Sequence, residues 1–286
     1  MKNTSPAATA VGSALLTILV VMFASCSTTP TTFQLQVNYA PVGKIIKYTQ
    51  ESHRVGVIYK NEQKVKEVDL KIQGEITYTT QEILPGGDAV ITEKNRWNWD
   101  EPAGDSGQVK RITKDYTYQV RISPSGKVAD LKMVDASSPA WEDYIRLYCE
   151  QGMPVFPDQK ISPGYSWTQS MSVTLVDSSS ANAATTYRVK GVARKMGYDC
   201  AIIEYTGNLA LPIFLDPADT LKLTGIDRIE MSGIMYFAIE TGIAVNSEEK
   251  RRVVSERTYT KEQQVYNQRV ESEEVISYSL VGGEGM

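Results

Sequence analysis

Apolar and polar residues alternate along much of this chain. From Val68 the even positions run Val68, Leu70, Ile72, Gly74, Ile76, Tyr78, and the odd positions between them run Asp69, Lys71, Gln73, Glu75, Thr77. Side chains of a strand point to opposite faces in turn, so the pattern predicts a long strand with one apolar and one wet face. The stretch from Ile112 to Ile122 repeats it. Ile112, Lys114, Tyr116, Tyr118, Val120 and Ile122 fall on one face, and Thr113, Asp115, Thr117, Gln119 and Arg121 on the other. "SPSGK" (Ser123 to Lys127) then supplies a turn, and Val128 to Val134 returns as the hairpin partner. Further strands are predicted over Lys44 to Gln50, Gly56 to Lys60, Ala89 to Trp99, Trp167 to Val176 and Thr185 to Arg194. Others follow at Cys200 to Leu211, Arg228 to Ile239, Ala244 to Thr260 and Val270 to Val281, with turn sequences such as "LPGGD", "MGYD" and "ETG" between them. "IMYFAI" (Ile234 to Ile239) is apolar on both faces and reads as a central strand covered on both sides.

One segment reads as a helix, Ser138 to Gly152. Ser138 caps it, Pro139 fits its first turn, Glu142 and Asp143 suit its N-terminal end, and Gly152 stops it. Trp141, Tyr144, Ile145 and Tyr148 form its apolar stripe. Many one-sided strands and one helix predict a mainly β fold. The expected form is a large antiparallel, strongly curved sheet, half-barrel-like, with the short helix across its concave mouth. A β-sandwich is the alternative.

The first 40 residues are different. After Lys2, an apolar run extends from Ala10 to Phe23. A bilayer span needs about 20 apolar residues, so this run suits a signal-peptide core instead. The residues Phe23-Ala24-Ser25-Cys26 resemble a bacterial lipobox, although Phe23 stands where Leu is usual. That resemblance implies cleavage before Cys26 and acylation of its sulfur. "STTPTT" follows, a polar stretch without apolar pattern, as a tether needs. The expected organisation is a lipoprotein signal peptide over 1–25, a flexible tether over 26–40 and a single antiparallel β domain over 41–286. Each buried acyl methylene contributes about 0.8 kcal/mol, so two or three chains on Cys26 hold a domain at a membrane without a spanning helix. Ser27, rather than Asp, follows the cysteine, which resembles an outer-membrane address. The expected location is the cell envelope, lipid-anchored on the periplasmic face of the outer membrane.

Charge narrows the partners. The 34 acidic residues slightly exceed the 30 basic ones and no basic block stands out, so nucleic acid is not an expected partner. Besides Cys26, Cys149 and Cys200 remain as a candidate disulfide, since an exported compartment permits one; the other reading is two small buried residues without a bond.

No motif names a chemistry. His53 is the only histidine and sits in the polar "ESHRVG", which reads as a solvated turn or strand edge. The chain has no G-x-S-x-G, H-E-x-x-H or C-x-x-C pattern. Asp100, Glu101 and Asp105 share an oxygen-rich loop, as do the acids of "FLDPADT", but neither has calcium-loop spacing. Trp97, Trp99, Trp141 and Trp167 are candidates for an aromatic cleft, though aromatic residues also suit strands in general. No catalytic residue, metal site or cofactor is assigned.

"SPGYSWTQSMSV" (Ser162 to Val173) and "SGIMYFAIETGIAVNSE" (Ser232 to Glu248) resemble segments of bacterial lipoproteins of the DUF6263-like kind. The strand pattern is similar to the half-barrels of lipoprotein carriers, as a fold analogy. Three functions are then in view. The first is a non-enzymatic structural or assembly role in the envelope, with an envelope protein as partner. The second is binding of a lipid or other apolar ligand in a half-barrel cavity. The third is a hydrolase with an unrecognised carboxylate site. A filled core favours the first, a large apolar cavity the second, and two carboxylates facing each other in a cleft the third.

Overall fold

A computed structural model describes residues 32–103, 108–134, 149–150, 153–174, 180–215, 222–261 and 264–284. The described residues form eleven strands. They are β1 (Ile45–Lys60), β2 (Gln63–Ile83), β3 (Ala89–Ala103), β4 (Gln108–Ile122), β5 (Val128–Met133), β6 (Ser166–Thr174), β7 (Ser180–Lys195), β8 (Tyr198–Leu215), β9 (Lys222–Ala238), β10 (Ile243–Lys261) and β11 (Gln264–Glu284). All belong to one antiparallel sheet in the order β5-β4-β3-β2-β1-β11-β10-β9-β8-β7-β6. The chain walks outward from β1 to one edge at β5, restarts at the other edge with β6, and walks back to β11. The first strand then pairs with the last, Ile45 opposite Glu284 through Lys60 opposite Gln268. The fold is mainly β and open, a single sheet rather than a sandwich.

The sheet is curled. Neighbouring strands lie about 4.8 Å apart, so a flat sheet would separate β4 from β9 by about 29 Å. Tyr118 of β4 and Phe237 of β9 nevertheless line one cavity. Bulges supply bend at one end of the sheet. Register shifts fall at Lys47/Tyr48, Thr80/Glu82, Arg121/Ile122, Val189/Gly191 and Ala244/Asn246, all where strands enter or leave that end. An extra residue on one strand increases local twist and bends it.

The tether assigned to residues 26–40 stops earlier than the sequence pattern implied. Phe33, Leu35 and Tyr39 are buried, with Val37 packed between the two main core clusters. This strap crosses the bulged end of the trough. Its backbone bonds to Ile161 at Phe33, to Pro124 at Val37 and to Gly242 at Asn38, joining both wings of the sheet. "FQLQVNY" alternates with period two, its odd residues apolar, and it uses that alternation to face the core. A second extended stretch runs beside it, with Phe156 donating its N–H to Ser125 and its ring edge-on to Phe237 at 4.6 Å.

Two other expectations change. Lys44 to Gln50 and Gly56 to Lys60 are parts of one strand, because "ESHRVG" stays extended within β1. "IMYFAI" is not covered on both sides: Ile234 is 38% exposed, because no second layer among the described residues packs on the convex face. The expected helix lies outside the described residues apart from helical 149–150, and residues 1–31, with Cys26, also lie outside them.

Leu35 is 1% exposed, so Leu35→Ala should destabilise the fold by about 2–5 kcal/mol. Gln36→Ala beside it, pointing to solvent, should cost no more than about 0.5 kcal/mol. Urea unfolding of the two variants checks this, and equal, small effects would show that the strap is only a tether.

Candidate functional site

The interior of the trough follows from the alternation. Ile72, Ile76 and Tyr78 of β2 face the same cavity as Tyr116, Tyr118, Val120 and Ile122 of β4, as their even numbering predicts. Leu70 continues the row into a neighbouring cavity. On β3 the inward set is odd: Ile91, Glu93, Asn95, Trp97 and Trp99. The first cavity encloses about 440 Å³ and the second about 340 Å³; Tyr205, Met235, Glu249 and Arg251 line both. Pockets of this size match those of small-molecule sites.

Two glycines shape the wall. A Cβ on Gly74 would stand 2.6 Å from the Trp97 ring, and one on Gly233 would stand 2.5 Å from the Tyr205 ring. Both aromatic rings therefore lie across bare backbone of the adjacent strand.

Most of the first cavity is apolar or aromatic, and Glu93 is the charged side chain among the described residues that line it from β3 and β4. Its carboxylate accepts a hydrogen bond from Asn95 Nδ2 at 3.0 Å and from the hydroxyls of Tyr78 and Tyr118. None of these partners is a cation. Burial raises its pKa, against the three hydrogen bonds that lower it. Burial also drives the pKa values of Tyr39 and Tyr78 well above the usual tyrosine value, with the Glu93 charge adding to the effect. Gln50 on β1 lines the same cavity, and its buried Oε1 has no hydrogen-bond partner.

The second cavity has a different wall. Arg54 of β1, Glu274 of β11 and Arg251 of β10 stand opposite one another across three strands. Arg54 contacts Glu274 at 2.9 Å and Ser52 donates to the same carboxylate. Burial pushes the Glu274 carboxyl up, but the Arg54 charge, with the Ser52 and Arg54 hydrogen bonds and Arg251, outweighs it and holds the group below its ordinary value. Arg251 also pairs with Glu249, which accepts from the Tyr205 hydroxyl at 2.7 Å. Further along, Asp227 meets Arg257 at 3.4 Å and accepts from Ser255.

Residues singled out from the sequence are scattered. His53 points to the outer face, where its Nε2 lies 2.8 Å from Asp69 of β2, both exposed. Asp100 is exposed, and Glu101 accepts from Trp99 Nε1 at 2.7 Å. Asp105 and the acids of "FLDPADT" lie outside the described residues, as does Trp141. Trp97 and Trp99 line the first cavity, whereas Trp167 stacks on Tyr187 at 5.1 Å in a separate cluster. The candidate disulfide is absent, because both cysteines are free and engage different partners. The Cys149 thiol lies 3.3 Å from the Tyr118 hydroxyl, while the buried Cys200 approaches the Tyr198 carbonyl at 3.5 Å. Burial raises the pKa of both thiols. Among the described residues no group of three His, Cys, Asp or Glu side chains is placed to hold a metal ion.

Sequence reasoning missed Glu93 and Gln50. The signal was present, because Glu93 and Asn95 interrupt the apolar odd positions of Ala89 to Trp99. No protein-family model matches the chain, and no curated protein matches it.

A carboxyl with a raised folded pKa contributes stability below its unfolded value, here about 4.5, and that contribution is lost as pH rises through the folded value. Glu274, whose folded value is depressed, contributes above about 4.5 and loses that contribution as pH falls through the folded value. Glu93→Gln, neutral at every pH, should therefore gain in urea midpoint relative to the unmutated chain as pH rises from about 4 to about 7. Glu274→Gln should lose relative to it over the same rise. A flat difference for Glu93→Gln would mean that the group is solvated.

Proposed function

We propose that this protein is a lipid-anchored envelope protein that binds a lipid or other apolar ligand in the concave face of its curved sheet. The observation that supports this reading is the 440 Å³ cavity lined by Ile72, Ile76, Trp97, Tyr116 and Val120. A surface-acting structural protein has no need of that space, and a filled trough would have favoured one. The carboxylates of the second cavity each sit against an arginine, which gives a hydrolase reading little support.

The anchor and the cavity fit one another. Seven residue steps separate Cys26 from Phe33, where the strap enters the core. Fully extended, they reach about 25 Å. Acylation of Cys26 would thus hold the strapped end of the trough close to the membrane surface, a short transfer distance for an apolar ligand. The periplasmic face of the outer membrane is the location this reading carries forward.

Two experiments test it. Cys26→Ser should abolish palmitate labelling and release the chain from membranes; a variant that still labels and stays bound removes the anchor. The Cys26→Ser chain should bind diphenylhexatriene, an uncharged apolar fluorophore. Adding Ile72→Trp, which fills the cavity, should weaken that binding by roughly tenfold, the equivalent of losing a few buried methylenes. Unmutated cavity and filled cavity binding alike, or neither binding, would overturn the ligand reading.

A further inference from the structure

We infer that the first cavity selects an amphiphile carrying a primary ammonium group on an apolar chain, and that Glu93 receives the ammonium. The inference rests on the apolar-ligand reading and gives the chemistry of the polar end.

Glu93 is 8% exposed and is a carboxylate without a cation among its described partners. Burying a charge without a counter-charge is costly, and a neutral residue would serve the strand equally well. An incoming cation would supply the counter-charge that Glu93 does not meet among the described residues. The surroundings suit a cation. The Tyr39 and Tyr78 rings lie 6.0 Å apart, and Tyr48 meets Tyr78 edge-on at 5.7 Å. All three tyrosines, with Trp97 and Trp99, line the cavity. Aromatic faces attract ammonium groups through their quadrupole and offer nothing to a carboxylate or sulfate.

Gln50 marks a second polar point of the cavity, apart from the ammonium position. It is 5% exposed, lines the same cavity, and its Oε1 has no donor among the described residues. Its register neighbour Gly74 stands opposite Trp97, four residues along β3 from Glu93. At about 3.3 Å per residue the two acceptors are about 13 Å apart along the wall. Glu93 is hydrogen-bonded but meets no counter-charge among the described residues, whereas Gln50 Oε1 lies beyond the reach of an ammonium seated there. A ligand that complements Glu93 brings donors and a positive charge. A fatty acid brings a carboxylate and repels Glu93, while a fatty alcohol brings one weak donor. A primary ammonium brings three donors and the opposite charge. Its chain would run between the apolar side chains of β2 and β4.

The test is calorimetric titration of the Cys26→Ser chain at neutral pH with dodecylamine, 1-dodecanol and laurate, each below its aggregation concentration. Dodecylamine is expected to bind roughly tenfold or more tightly than either of the others, the scale of a hydrogen bond to a charged group. Glu93→Gln should bring dodecylamine down to the affinity of dodecanol and leave dodecanol within about twofold of its original value. The order of affinities in the unmutated site needs no variant, so it decides the inference even if Glu93→Gln folds poorly. Laurate or dodecanol matching dodecylamine would overturn the inference and leave the apolar-ligand reading standing. Unchanged dodecylamine affinity in a folded Glu93→Gln chain would overturn the role of Glu93. Failure of all three to bind would overturn both readings.

Discussion

Everything in this fold depends on the pairing of β1 with β11. Every other ladder in the sheet joins strands that follow one another in the chain. Those are hairpins and cost little loop entropy to close. The β1–β11 ladder joins residues more than 200 positions apart, and without it the chain is two separate meanders. Each meander would then expose an edge strand of unpaired N–H and C=O groups. Pairing removes both edges and sets the two wings in a single register, so that Arg54, Glu274 and Arg251 fall in line. The ladder that joins the two halves of the sheet also builds the charged wall of its interior.

A single sheet, with no second layer among the described residues, buries its apolar face against itself. The bulges at one end bend the strands inward, and the strap of residues 33–39 crosses there. Core packing concentrates at that end: Leu35, Ile46, Ile91, Val189, Ile203 and Val245 are all essentially inaccessible. Toward the opposite end the β1–β2 and β10–β11 hairpins carry mostly half-buried or exposed residues. Between these ends the curl is too wide for side chains to meet across it, and the cavities occupy the gap.

The β class, the one-sided strands and the shared face of β2 and β4 were legible because each depends on local alternation. Ile76 and Val120 needed no tertiary information to be placed inward. The strap was misread although "FQLQVNY" alternates as clearly as β2 does. Its proximity to "STTPTT" made a polar tether the simpler reading, and only the wings it bridges reveal its purpose. The interior charges were illegible for another reason. "SEEKRRVVSER" carries charges on both faces, so no period distinguishes Glu249 and Arg251 from the solvated Glu248 and Lys250. Which charges are inside depends on the β11 register. The two cysteines were a question of distance between strands far apart in sequence, which spacing alone does not contain.

The interior charges also explain why the trough stays open. Replacing a buried ion pair with well-packed apolar residues is often neutral or stabilising, so the Arg54–Glu274 and Arg251–Glu249 pairs are not needed for stability as such. Apolar side chains at those four positions would, however, seek contact across the trough and fill it. Charged groups resist that collapse, because each carboxylate is paired with an arginine along the sheet and a charge gains nothing from an apolar opposite wall. Tyr205 illustrates the arrangement: the tip of its ring lies against Gly233 while its hydroxyl is tied to Glu249. Held in this way, Tyr205 lines both cavities. The polar ladder thus keeps the two walls apart at the place where an apolar lining would close them.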